Sequence, residues 1–377
     1  RKNSINSEAE IIHTITISDV IACNLWVYSD NTISTPDTRY WYEAELFDTA
    51  GLSTKTSTPA YISFYDEIIY LGGESSLVSD LDVWQSEVDG YNAEVIVENG
   101  NLGSFASMSI SPSANKLIIS VNGTNVYLFD LLYSNYQPLA LDATDGDVNN
   151  TVWVDDNVFV LLDSGSNLIR YDISNSSYEN LGATPIFDVC NSDNDIYYFS
   201  SEDDSFNRYS TGAITELLQL PTANVIQGMK VLNDCSGFIF RSNTFGASSN
   251  LYYFNLSTNE VAAINILPYT ENPYQIILSH VDSDYISENE LFIRIDDGTQ
   301  YATYAILDIA NQIINELGIE YMQMSGNVSI LNDYSRLVLQ YDTDNLRIYD
   351  LPSFSEQYTI DKGLIRLPKL IKNKWLD

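Results

Sequence analysis

From about residue 60 the apolar and polar positions fall into a phrase that recurs along the chain. An apolar strand is followed by a polar turn, a strongly apolar strand and a second turn. A third strand then ends on an aromatic residue followed by Asp or a variant of it, and a shorter strand closes the unit. The clearest copy runs Ser107-Met108-Ser109-Ile110, Lys116-Leu117-Ile118-Ile119-Ser120 and Asn125-Val126-Tyr127-Leu128-Phe129-Asp130. Another runs Val328-Ser329-Ile330-Leu331, Arg336-Leu337-Val338-Leu339-Gln340 and Leu346-Arg347-Ile348-Tyr349-Asp350.

With the large residue that ends each third strand as anchor, the series is Trp84, Phe129, Tyr171, Tyr209, Phe254, Leu307 and Tyr349. Successive spacings are 45, 42, 38, 45, 53 and 42 residues. Units of this length and strand content are those of a propeller, in which each four-stranded sheet has two apolar faces and hides both only when the ring closes. Helical periodicity between the strands is missing, which argues against an α/β fold. The expected fold is all-β, a β-propeller of seven four-stranded blades over residues 59–363.

The ends leave alternatives open. Strand-like runs at 11–18, 24–28 and 40–47 precede the repeats, and Phe47-Asp48 would serve as an eighth anchor, giving eight blades. In the other reading residues 1–58 form a separate β segment. At the far end Lys362, Arg366, Lys369, Lys372 and Lys374 place five of the chain's seventeen basic residues in its last sixteen positions. Residues 364–377 are therefore set apart as a basic tail, either strapped over its own propeller or docking on a neighbouring copy as a head-to-tail homo-oligomer.

Charge narrows the partners. Fifty-two acidic residues against 17 basic ones leave a formal net charge of −35, which repels nucleic acid and anionic membrane surfaces. No run approaches the roughly 18 apolar residues that span a bilayer, so membrane insertion is not expected. Tyr-rich, Lys-poor composition, Asn/Ser-rich loops and N-x-[ST] tripeptides at Asn122, Asn149, Asn175, Asn255 and Asn327 suit an extracellular or cell-surface protein, with the periplasm as the alternative. A start at Arg1 fits removal of a leader. Cys190 and Cys235 fall in turns of neighbouring repeats that could bring them close enough to pair, leaving Cys23 over; the alternative is three small, partly buried thiols.

Candidate chemistry is sparse. Two histidines, His13 and His280, are too few for a structural zinc site and lie in no nucleophile motif. Asp145, Asp147 and Asn149, with Asp156 eleven residues after Asp145, place oxygen donors at positions 1, 3, 5 and 12 of a calcium loop; Asn150 stands where such a loop has Gly. Loop tyrosines at 133–136 and 269–274 would suit a carbohydrate platform.

The phrase Ser109-Ile110-Ser111-Pro112-Ser113-Ala114-Asn115-Lys116-Leu117-Ile118, followed by Val126-Tyr127-Leu128-Phe129-Asp130-Leu131, resembles the repeats of TolB-like and YVTN-type bacterial propellers. In those repeats an S-P-D-G turn precedes the strand; Ser113 and Ala114 replace its Asp and Gly here. The run Tyr40-Trp41-Tyr42 through Asp48, Gly51 and Ser53 resembles the last strands of a fibronectin type III domain. These resemblances imply architecture and leave function open. The leading expectation is a non-enzymatic module that binds protein or glycan through a propeller face. The competing one is a cation-dependent hydrolase or lactonase in the central channel, for which Asp188, Asn233 and Asp333 fall at or near inner strands.

Overall fold

The structure is a computed structural model. It describes residues 38–42, 45–47, 52–55, 60–63, 65–73, 81–98, 105–121, 125–131, 135–139, 148–190, 192–221, 226–242, 251–264, 275–278, 284–287, 289–296, 301–322, 328–331, 333–341, 344–351, 353–361 and 364–371. They form seven antiparallel sheets with four strands from the channel outward, a seven-bladed β-propeller. Two short antiparallel pairs precede it, Arg39–Tyr42 with Ala60–Ser63 and Glu45–Phe47 with Ser53–Lys55. Among the described residues no helix is long and apolar enough to cross a membrane.

Blades 2 to 5 and blade 7 each come from one continuous stretch; Phe105–Ile110, Lys116–Val121, Asn125–Asp130 and Asn135–Leu139 make up blade 2. The second strand of each blade is apolar on both faces because both abut neighbouring blades. Val158–Asp163, for instance, is buried at every position. Aromatic residues fill the wedge between blades 4 and 5, where Phe206 lies 4.8 Å from both Phe238 and Phe240, centroid to centroid.

Blade 6 accounts for the 53-residue spacing. Its inner position is split into Gln275–Ile277 and Asp284–Tyr285, and both pieces pair with Glu290–Asp296.

Blade 1 corrects three expectations. Its inner strand is Leu364–Ile371, which pairs antiparallel with Glu67–Gly73, so the propeller's first and last strands meet in one sheet and close the ring. Arg366 and Lys369 lie opposite Leu71 and Ile69 and belong to the propeller; Lys372 and Lys374 lie outside the described residues. Secondly, the position equivalent to Phe129 is Ser86 and not Trp84. Val88 N–H donates to the Asp66 carbonyl as Leu131 N–H does to Asn115, and Trp84 sits two residues earlier with its indole N–H on the Gly72 carbonyl. Thirdly, Phe47 belongs to a two-stranded pair, so there is no eighth blade among the described residues. Residues 1–37, with the start of the fibronectin-like segment, Cys23 and His13, lie outside those described.

Candidate functional site

Antiparallel up-and-down strands sort the connections onto two faces. On one face the inner strand turns into the second and the third into the outer. These connections are short and internally bonded. The same turn recurs in blades 2, 5 and 7: Ala114, Cys235 and Tyr334 N–H donate to the carbonyls of Ser111, Leu232 and Leu331 at 2.8–2.9 Å. The three donor residues take left-handed backbone, with φ of 55°, 55° and 58°. Ala114 therefore stands at the position that is Gly in the resembling repeats, where the left-handed conformation carries a side-chain penalty.

This short-turn face is tied across blades. Cys190 and Cys235 form a disulfide between blades 4 and 5, with Cα atoms 5.8 Å apart. Arg336 at the start of the second strand of blade 7 donates to Asp66 of blade 1 at 2.7 Å, and both are buried. The Trp153 indole N–H donates to the Ser109 carbonyl at 3.0 Å, joining blades 3 and 2. The Asn233 amide reaches the Tyr334 hydroxyl at 2.9 Å, linking the turns of blades 5 and 7.

Just inside these turns lies one level of the inner ring. Going round the blades, the equivalent register positions are Lys369, Ser109, Val152, Asp188, Lys230, Asp284 and Ser329. Asp188 is 4% exposed and accepts the Val231 N–H at 2.8 Å, with Lys230 Nζ at 3.8 Å. Burial raises the Asp188 carboxyl above its usual range, against the pull of Lys230 and the Val231 N–H. Burial works against the Lys230 charge, but Asp188 and Asp284 outweigh it and the ammonium is held more firmly than usual. Burial together with nearby Lys230 lowers Lys369, with Asp284 opposing. Tyr285, 4% exposed, is raised well above the usual tyrosine value by burial and by Asp188, Asp284 and Asp234. Two acids and two amines thus balance one another where the blades meet.

Of the residues singled out for channel chemistry, Asp188 lies in this level and Asn233 in the turn above it. Asp333 lies in the equivalent turn of blade 7, where its carboxylate accepts the Ser335 N–H and hydroxyl. Lys230 and Asp284 carry no local signal, and Lys369 reads from the sequence as part of a basic tail, because register, and not local spacing, brings them together.

Of the four calcium-loop positions, the structure describes the backbone of Asn149 and Asp156. Asn149 lies at an irregularity of the inner strand Val148–Trp153, while Asp156 sits in the turn beyond its other end. An extended strand keeps them roughly 15–20 Å apart. Asp156 accepts the Ser113 N–H at 2.9 Å, and its carbonyl accepts from Lys116 Nζ at 2.6 Å, joining blades 3 and 2. Asp145, Asp147, His280, Tyr133 and the 269–274 tyrosines lie outside the described residues. Two tripeptide asparagines serve turns: Asn255 Oδ1 accepts the Ser257 and Thr258 N–H groups, and Asn175 Oδ1 the Ser177 N–H.

On the opposite face, strand ends are joined by longer segments such as 98–104, 140–147, 243–250 and 264–274. Read from the sequence, the connections of this face carry Glu74, Asp142, Asp145, Asp147, Glu271 and Asp297 among other acids. Apart from Lys362 in 362–363 they hold no Lys or Arg.

No family model matches the sequence, and no curated protein does. Solved structures are similar in fold. A protein from Lactobacillus plantarum matches at 12% identity and TM-score 0.55, over 81% of this chain and 99% of that one. The dihydro-heme d1 dehydrogenase NirN matches at 13% and 0.53, over 87% and 79%. TolB from Acinetobacter baumannii matches at 15% and 0.48, over 98% and 88%. At such identities the likeness is one of fold, and the propeller expected from TolB-like repeats is present.

Proposed function

We propose that this propeller is a non-enzymatic interaction module that binds a protein partner through its long-connection face. The observation that carries the reading is the make-up of that face: its connections include the longest in the ring and supply most of the connecting acids, with Lys362 as their one cation. Loops on a rigid scaffold are where binding surfaces are built, and one-signed charge steers a complementary partner. The partner's contact surface is accordingly basic, and binding weakens as salt rises.

The Cys190–Cys235 disulfide supports a location in an oxidising compartment, at the cell surface, outside the cell or in the periplasm. The channel gives less support to a hydrolase, because Asp188 is already engaged by Val231 and Lys230. A photo-crosslinking residue at Tyr269 is expected to capture a partner in the producing cells, while the same residue at Asn175, in a turn of the short-turn face, captures none. The reverse pattern, or turnover on a panel of esters, lactones and glycosides, would remove the reading.

A further inference from the structure

Arg39, from the strand that precedes the propeller, enters a pocket on blade 1. Its guanidinium carbon lies 4.2 Å from the Tyr65 ring centroid and 4.2 Å from that of Tyr91, so the planar cation is held between two aromatic faces. Nη2 pairs with Glu87 and, at 2.6 Å, with Asp89. The Arg39 side chain is 11% exposed and that of Glu87 6%. Burial opposes the Arg39 charge, but Asp89 and Glu87 outweigh it and hold the cation more firmly than usual.

The walls of this cage are held by bonds that do not involve Arg39. Tyr65 packs edge-on against Tyr358 of blade 7, with centroids 6.2 Å apart. The turn carrying Glu87, Asp89 and Tyr91 is closed by Gly90 N–H to the Glu87 carbonyl at 2.8 Å and Glu87 N–H to the Tyr91 carbonyl at 3.0 Å. Tyr91 N–H donates to Asp89 Oδ1 at 3.0 Å, and the Asn92 amide to Glu87 Oε1 at 3.1 Å. Without a cation, two shielded carboxylates would face each other uncompensated, so the vacated pocket has a strong demand for positive charge. Its shape narrows the choice: stacking on both faces together with in-plane donors suits a planar guanidinium better than a compact ammonium. Tyr91 is 45% exposed, so the outer wall borders solvent.

We propose that Tyr65, Glu87, Asp89 and Tyr91 form a guanidinium-binding site, filled in cis by Arg39, which takes an arginine side chain of a polypeptide partner when Arg39 is withdrawn. The N-terminal segment is then a removable occupant of blade 1. This site lies on the short-turn face and stands or falls independently of the long-connection reading.

The test uses the full chain and a capped Gly-Arg-Gly peptide as probe. Arg39→Met is expected to bind the peptide at least about tenfold more tightly than the unmodified chain, and to prefer it about tenfold over Gly-Lys-Gly. Adding Tyr91→Ala to that variant should abolish the gain. In the unmodified chain, excess Gly-Arg-Gly should speed hydrogen exchange at the Arg39–Tyr42 amides, a readout that holds even if the Met variant fails to fold. Unchanged exchange overturns the proposal, as does a gain in peptide affinity that survives Tyr91→Ala.

Discussion

The two faces of the propeller are built from the same strands yet carry opposite burdens. One is a set of short turns with repeated hydrogen bonds, a disulfide, a buried Arg336–Asp66 pair and a balanced ring of lysines and aspartates. The other is joined by longer, acid-bearing segments. A ring must hold its blades in register against the loss of chain entropy, and links at one end suffice because each sheet is rigid along its length. The other end is then free to vary in length and charge, which is the condition for a binding surface.

Changes on the two faces should separate stability from binding. The largest effect is expected at Lys230: Lys230→Met leaves buried Asp188 without its cation and should cost about 3–5 kcal/mol in denaturant unfolding. Replacing both partners, Asp188→Asn with Lys230→Met, should recover much of that loss; a double variant as weak as the sum of the singles would show that the pair is not coupled. Next comes reduction of Cys190–Cys235, which closes a 45-residue separation and should lower stability by about 2–4 kcal/mol, read as a fall in thermal midpoint with reductant.

A smaller change of opposite sign is expected at Ala114. Its φ of 55° is one that glycine adopts freely, so Ala114→Gly should stabilise by about 0.5–1 kcal/mol, and a destabilised variant would contradict the strain argument. Least of all, shortening 265–274 to a Gly/Ser turn should move stability by less than about 1 kcal/mol while removing partner capture, because loop closure depends weakly on length. A large stability loss there would mean that this face also holds the ring together.

How much was readable in advance follows from the range of each interaction. Alternation of apolar strands and polar turns within one blade is local, so the repeat and six of the seven anchors stand in the structure where the pattern put them. The seventh slipped by two residues because Trp84 is the larger side chain, while backbone bonding makes Ser86 the equivalent position. Neighbouring turns also brought Cys190 and Cys235 into view as a pair. A count of residues carries no direction, and within the calcium spacing the strand Val148–Trp153 separates Asn149 from Asp156.

What the sequence determined by itself was therefore the unit, its number and the acidic character of its loops, since strand periodicity, turn chemistry and charge are properties of short stretches. Tertiary structure decided the rest. Closure by Leu364–Ile371 joins strands almost 300 residues apart, and their basic residues read as a tail until Glu67–Gly73 is seen beside them. The ring of Lys369, Asp188, Lys230 and Asp284, and the seating of Arg39 between Tyr65 and Tyr91, likewise depend on which blades adjoin and in what register. Desolvation and charge pairing act through space, and only the closed ring sets those distances.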